Sequence, residues 1–248
     1  LRCHYYTDLL GRDPATAAEG GRELWRVGRS QPEACDSLFD TLRSRGEIGE
    51  QQVWERQMLA WQAGESGLAS YLGRPLGSRW QSAQDAVARV QSDYSAITRL
   101  PECLGPECRG SGPFFVAAMH GYVRADTEAA LGAWRQLAPR LELDAEHRQA
   151  IQRDLIFYSL VRDVRANRAW VDAALPDLPD PELLELRVRT ALADRDWRGV
   201  IDWVQRMPEE TRRDERWQYW LGRAYEQLGD EASAGRAYAA AAAGRSFY

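Results

Sequence analysis

Lysine is absent from this 248-residue sequence, so all 32 basic residues are arginines. They are outnumbered by 37 acidic residues, which gives a formal net charge of −5. Proteins that bind nucleic acids usually carry a basic excess instead, and we therefore expect no nucleic-acid partner. The use of arginine alone has two interpretations. It reflects either a bias in genomic composition or a need for the bidentate pairing with carboxylates that arginine provides.

Long apolar runs are absent as well. The two longest, Phe114–Met119 and Ala237–Ala243, fall short of the roughly 18 residues that a membrane-spanning helix needs. We therefore expect no transmembrane segment. Hydrophobic residues make up 44% and charged residues 28% of the chain, which is typical of a globular protein and excludes general disorder. The chain begins at Leu1 without a signal-peptide pattern, and we interpret it as a processed or truncated product.

Motifs of the common enzyme classes are also missing. The sequence has no phosphate-binding loop, no Gly-x-Ser-x-Gly turn and no His-Glu-x-x-His helix. Acidic pairs at 209–210 and 214–215 lie among arginines, which indicates a solvated helix start. His120 follows an apolar run and is predicted to pack within a helix, whereas His147 is predicted to lie on an exposed helix face. We predict no catalytic, cofactor-binding or metal-binding residue.

The strongest positive signal is helical periodicity. Trp54, Met58 and Trp61 follow the i, i+4, i+7 spacing of one helix face, and similar spacings recur at 197–204 and 217–228. Alternating strand patterns are almost absent. Gly, Pro and Asp interrupt the pattern at short intervals, so the sequence predicts about a dozen or more antiparallel helices. The ten tryptophans are then expected to form the core between helices.

The last segment resembles a tetratricopeptide hairpin. Gly222 and Ala234 are small, as is needed where two helices approach closely, and Gly229 suits the turn between them. The full pattern comprises Leu221, Gly222 and Tyr225 on the first helix and Ala234, Tyr238 and Ala241 on the second. A second hairpin is predicted from 183–193 and 196–207. Stacked hairpins bury each other's apolar faces, and the predicted fold is an all-α superhelix, or solenoid.

The chain has no low-complexity linker. The loop Leu100–Gly112 is the best candidate for a domain boundary, and Asp177–Pro181 is the second. Both are short enough to be turns within one solenoid. We therefore expect residues 1–248 to form a single α-superhelical domain.

The four cysteines allow three disulfide pairings or four free thiols. Cys103 and Cys108 flank a Pro- and Gly-containing loop that can close on itself, which leaves Cys3 and Cys35 as the other pair. On a chain-entropy estimate, the two loops would contribute about 2.2 and about 3.7 kcal/mol. A zinc site is the alternative, although no Cys-x-x-Cys pair occurs. Its available ligands are Cys3, His4, Cys35, Cys103, Cys108, His120 and His147.

Arginines recur on the predicted helices of the second half. They either line a face that attracts acidic groups or form salt bridges with the many acidic residues. The residues concerned are Arg162, Arg165, Arg168, Arg187, Arg189, Arg195 and Arg198.

Several segments resemble the helical region of the soluble lytic transglycosylases, which are periplasmic bacterial enzymes that cleave peptidoglycan. The most specific is Arg22–Asp36, with the sequence RELWRVGRSQPEACD. It is preceded by LRCHYY at the start of the chain and followed by Leu38-Phe39. Further segments follow in the family's order at 185–192, 194–199, 203, 207–208, 215–220 and 244–248. The resemblance is weaker from Ala63 to Asp180.

The resemblance implies an α-superhelix that forms much of a ring, with a disulfide between Cys3 and Cys35. The family's lysozyme-like catalytic domain lies C-terminal and carries a Glu-Ser dipeptide and a Gly-Leu-Met-Gln stretch. Here Glu65-Ser66 has no such stretch after it, and we interpret it as a chance dipeptide. The resemblance thus implies a scaffold fragment that lacks the catalytic domain and is truncated at both ends.

Three functional hypotheses follow. The first is the non-catalytic scaffold of a periplasmic lytic transglycosylase, whose partners are peptidoglycan glycan strands and its own catalytic domain. The parent enzyme would cleave between N-acetylmuramic acid and N-acetylglucosamine and leave 1,6-anhydro ends. The second is a protein-binding solenoid of the tetratricopeptide kind. The third, an unrecognised enzyme, is supported by chain length alone.

Overall fold

The computed structural model describes residues 1–178 and 180–243, and all regular structure in them is helical. The predicted all-α fold is confirmed for these residues, while the resemblance segment 244–248 lies outside them. Within this part of the chain, fifteen α-helices are joined by short turns. They are α1 (Arg2–Leu9), α2 (Pro14–Trp25), α3 (Asp36–Ser44), α4 (Glu50–Gln62), α5 (Ser66–Gly73), α6 (Gln81–Ser92), α7 (Ser111–Ala125), α8 (Thr127–Leu137), α9 (Ala145–Val161), α10 (Arg168–Ala174), α11 (Pro181–Asp194), α12 (Trp197–Arg206), α13 (Glu209–Arg212), α14 (Glu215–Gln227) and α15 (Glu231–Ala242).

Aspartates begin many of these helices. The carboxylate of Asp126 accepts a hydrogen bond from the backbone N–H of Ala129 over 2.9 Å, and Asp196 accepts one from Gly199 over 3.0 Å. Such a cap satisfies N–H groups that have no partner within the helix and places a negative charge at the positive end of the helix dipole. The same arrangement is provided by Asp13, Asp180, Asp214 and Asp230.

The chain divides within α9 into two compact units, residues 1–151 and residues 152–248. Neither loop that the sequence offered as a boundary coincides with this division. The loop at 100–112 lies inside the first unit, and the turn at 177–181 lies inside the second. That the whole chain acts as one domain stays a prediction.

A pair of tryptophans packs in the core of the first unit. Trp54 and Trp80 are both fully buried, and their rings stack with centroids 5.1 Å apart. Each indole N–H is hydrogen-bonded, that of Trp54 to the carbonyl of Gly110 over 3.0 Å and that of Trp80 to Glu50 over 3.1 Å. The prediction that tryptophans form the core is confirmed for this pair, because a buried indole needs both apolar neighbours and a partner for its N–H.

The loop at 100–112 is packed against this pair. A disulfide joins Cys103 to Cys108, and Leu104 between them is fully buried. Gly105 has a φ of +67°, and a Cβ at this position would lie 2.5 Å from the ring of Trp80. Only glycine combines this backbone conformation with so close an approach. Leu104 and Gly105 therefore fix this loop against the core of the first unit.

The second unit contains the C-terminal hairpin of α14 and α15. A Cβ on Gly222 would lie 2.6 Å from the ring of Tyr238, so the close approach predicted at Gly222 is observed. Ala234 is buried on the facing helix, and Gly229 in the turn has a φ of +80°. Tetratricopeptide likeness beyond this geometry stays a prediction.

Candidate functional site

The four cysteines form two disulfides. Cys3 in α1 is joined to Cys35 at the start of α3, and Cys103 is joined to Cys108. With every thiol paired, the zinc alternative loses its thiolate ligands. Within residues 1–178 and 180–243, no cluster of three or more His, Cys, Asp or Glu side chains is arranged to hold a metal ion.

The arginines of the second unit form salt bridges. Arg168 contacts Asp163 and Asp194, each over 2.7 Å, and Arg187 contacts Asp172 over 2.6 Å. The hydrogen bond from Arg168, together with its charge, lowers the pKa of the Asp194 carboxyl below its ordinary value. The salt-bridge interpretation is thus confirmed for these two arginines, as it is for Arg165 and Arg189.

The predicted solvated acidic segment is also observed. Glu209 and Glu210 begin the short helix α13 on an exposed surface, and Arg213 pairs with Glu209. Glu65 and Ser66 are exposed at the start of α5.

Of the two environments predicted for His120 and His147, the structure confirms one. His120 is half-buried on α7, as predicted. The prediction for His147 was wrong, because its side chain is only 28% exposed. Its ring packs against Gly112 of α7, where an added Cβ would lie 2.8 Å away. The Nδ1 atom lies 2.8 Å from the Asp144 carboxylate. The backbone N–H of His147 also donates to Asp144, and this bond is the main reason that the pKa of Asp144 is lowered.

His147 belongs to a groove along α4 in the first unit. The groove consists of two clefts, of about 200 Å³ and about 570 Å³, that share Leu59 and Gln62. We call it the α4 groove. The first cleft is lined by Arg26, Glu55, Met58, Leu59, Gln62, Pro113, Val116, Glu146, His147 and Ala150. The second is lined by Val27, Gly28, Arg29, Gln31, Leu59, Gln62, Ala63 and His120.

One wall of the α4 groove is the connection between α2 and α3. This segment lies directly on α4, because a Cβ at Gly28 would be 2.3 Å from the carbonyl oxygen of Leu59. Glycine is therefore required for the contact. The contact brings Arg26, Arg29 and Gln31 to the groove. These residues come from the stretch 22–36, the most specific part of the resemblance.

The α4 groove offers mixed polar chemistry on an apolar floor. Met58 and Leu59 provide the floor, while carboxylates, amides, guanidinium groups and imidazoles lie around it. Such a set can donate hydrogen bonds to, and accept them from, the hydroxyl and amide groups of a sugar. Sequence reasoning singled out only the two histidines of this set. The other residues come from four separate segments, and no local motif joins them.

Relatives of the chain are soluble lytic murein transglycosylases. The protein of that name from Salmonella typhimurium is 30% identical over 250 residues, which are 100% of this chain and 38% of the relative. The one from Escherichia coli K12 is 30% identical over 236 residues, which are 94% of this chain and 36% of the relative. The chain thus spans little more than a third of the length of the curated relatives that it matches. No protein-family model matches the chain.

Solved structures agree with this result. The 70-kDa soluble lytic transglycosylase from Escherichia coli matches 95% of this chain with a TM-score of 0.69 and 28% identity. Its complex with bulgecin A gives a TM-score of 0.70. An inactive mutant of the lytic transglycosylase Slt from Pseudomonas aeruginosa matches 92% of the chain with a TM-score of 0.77 and 26% identity. The chain covers 37–38% of these structures.

These likenesses confirm the predicted fold class, an all-α superhelix. In the described part of the chain, no helix is both long enough and apolar enough to cross a membrane. The sequence match extends over the whole chain, and the fold match over more than nine-tenths of it. The chain is therefore homologous to the soluble lytic murein transglycosylases.

Proposed function

We propose that this chain is the non-catalytic helical scaffold of a periplasmic lytic transglycosylase. In this proposal the α4 groove contacts the glycan strands of peptidoglycan, and the chemistry is performed by a catalytic domain outside these 248 residues. The partners are then the glycan and that catalytic domain.

The observation that carries the proposal is the position of the stretch 22–36. This stretch is the most specific part of the family resemblance, and it lines the α4 groove through Arg26–Arg29 and Gln31. The close approach of Gly28 to the carbonyl oxygen of Leu59 holds it there. Two disulfides also favour an oxidising compartment such as the periplasm.

The division of labour follows from the reaction. A lytic transglycosylase uses the sugar's own 6-hydroxyl to displace the neighbouring sugar, which leaves a 1,6-anhydro end. One carboxyl group of raised pKa would protonate the leaving oxygen and accept the hydroxyl proton. No carboxyl in this chain is assigned that role. Glu55 and Glu146 in the α4 groove are assigned to hydrogen bonding with the glycan.

The test is retention on purified peptidoglycan sacculi, combined with mass spectrometry of the released products. We expect the chain to sediment with sacculi, soluble glycan fragments to displace it, and no 1,6-anhydro product to appear. Substitution of Gln62→Ala together with His147→Ala should reduce retention severalfold, because two hydrogen-bonding side chains of the α4 groove are removed.

The matched control is His4→Ala together with Gln227→Ala, which removes the same side chains from exposed positions on α1 and α14. Loss of retention in both double variants would overturn the assignment to the α4 groove. Anhydro-sugar release by the purified chain would overturn the non-catalytic role. Indifference to sacculi, with capture of a protein or peptide instead, would favour the protein-binding solenoid.

A further inference from the structure

A further cleft of about 330 Å³ lies between α3, α4 and α5 in the first unit and shares Gln31 with the α4 groove. We call it the Arg56 cleft, after the residue at its base. The side chains used in the argument are Trp25, Asp36, Asp40, Arg43, Arg56 and Tyr71.

Arg56 is almost completely buried, with an exposure of 5%. Its guanidinium carbon lies 4.2 Å from the centroid of the Trp25 ring and 5.5 Å from that of Phe39. The Nη2 atom donates to the carbonyl of Arg29 over 3.3 Å, while Nε is buried without a partner. The remaining nitrogen, Nη1, is therefore the one available to a ligand.

The charges of the Arg56 cleft are not paired with one another. Among the described residues, neither Arg43 nor Arg56 forms a salt bridge, and the same holds for Asp36 and Asp40. Arg43 instead lies 5.7 Å from the centroid of the Trp25 ring. Burial, and to a smaller degree the charge of Arg43, lowers the pKa of Arg56. Aromatic contacts offset only part of the cost of a buried cation, so an external anion would stabilise this arrangement.

Two cations and two anions thus line one cleft without forming a salt bridge. Asp36 and Asp40 are one helical turn apart on α3, on the same face, and both are exposed. Tyr71 adds an aromatic surface that is 60% exposed. Opposite charges held apart at one site complement a ligand that carries both signs on neighbouring atoms.

We infer that the Arg56 cleft binds the zwitterionic end of an amino acid, with its carboxylate on Arg43 and Arg56 and its ammonium group against Asp36 and Asp40. Two sources carry this chemistry, a free α-amino acid and the diamino-acid side chain of a cell-wall peptide. The inference depends on the cleft and not on glycan binding, so failure of sacculus retention through the α4 groove leaves it standing.

The test is calorimetric titration of the whole chain with meso-diaminopimelate. We expect saturable binding with a Kd of about 1 mM or tighter. Pimelate has the carboxylates without the ammonium groups and should bind about tenfold more weakly. Arg43→Gln should weaken the binding of both compounds, whereas Asp40→Asn should weaken only that of diaminopimelate. This pattern distinguishes a zwitterion site from a general anion site.

Matched controls are Arg45→Gln and Asp8→Asn, which make the same changes at exposed positions outside the cleft. Both should bind like the wild type. Circular dichroism must show all four variants folded, and each substituted side chain lies at least partly at the surface. Absence of saturable binding, or equal affinity for pimelate, would overturn the inference. If alanine binds with the same affinity as diaminopimelate, the ligand is a free amino acid. If diaminopimelate binds and alanine does not, the ligand is the cell-wall peptide.

Discussion

Gly105 shows at the scale of one residue how the disulfide loop is held. Its φ of +67° and its contact with Trp80 both exclude a side chain. We expect Gly105→Ala to lower the free energy of unfolding by about 1–3 kcal/mol, since it adds backbone strain and a clash in the core. Urea denaturation measures this. The control is Gly132→Ala on α8, where an added Cβ meets nothing within 4 Å. It should be neutral or stabilising by up to about 1 kcal/mol. Equal losses in both variants would refute the argument.

The burial of individual residues was predicted correctly where it depends on a local sequence pattern. Trp54 and Met58 are buried, as the spacing of that helix indicated. It failed for His147, because its environment depends on Gly112, which is 35 positions away and on another helix. For the same reason, no sequence pattern indicated that Arg56, which also lies on α4, is buried against the rings of Trp25 and Phe39.

At the scale of elements, capping aspartates link helix stability to pH. Asp93 caps a short 3₁₀-helix, Tyr94–Arg99, in the same way. Hydrogen bonds from the hydroxyl and backbone N–H of Thr16, Ser95 and Ser233 lower the pKa values of Asp13, Asp93 and Asp230. A carboxyl group whose pKa is lower in the folded than in the unfolded state stabilises the fold at pH values above its unfolded-state pKa, which is about 3.9 for aspartate. This stability is lost as the pH falls through the folded value.

We therefore expect the triple variant Asp13→Asn, Asp93→Asn, Asp230→Asn to unfold with a weaker pH dependence below about pH 4. Asparagine still caps a helix but does not titrate, so near neutral pH the change in stability should be small. Thermal unfolding followed between about pH 6 and about pH 3 tests this. Asp8→Asn, at an exposed position within α1, should keep the acid sensitivity of the wild type. An unchanged slope in the triple variant would contradict the capping account.

Element boundaries were predictable where Gly, Pro or Asp interrupts the helical pattern. The cap at Asp196 falls at the break predicted between the segments 183–193 and 196–207. The division between the two units was not predictable, because it lies within α9, where the helical pattern continues without a break. Loop 100–112 has the composition of a linker but is fixed by its disulfide and by Trp80.

At the scale of the whole molecule, the fold class was the property most readily predicted from the sequence. Helical periodicity and the scarcity of strand patterns suffice for it, since they are repeated in almost every segment. The α4 groove and the Arg56 cleft could not be predicted from the sequence in this way. Each is assembled from residues on several helices, and only the packing of those helices brings them together.

The two disulfides make the stability of the whole chain dependent on its compartment. Protein exported to an oxidising environment should show no thiol that reacts with an alkylating agent without reductant, whereas protein kept in the cytoplasm should show four.

Cys3→Ser with Cys35→Ser should lower the free energy of unfolding by about 3.7 kcal/mol, and Cys103→Ser with Cys108→Ser by about 2.2 kcal/mol, because the first pair closes the longer loop. Denaturation of the oxidised variants measures both losses, with the oxidised wild type as the reference. Four reactive thiols in exported protein would contradict the periplasmic proposal. A larger loss from the second pair would show that contacts of the 103–108 loop with Trp80, and not chain entropy, set the stability.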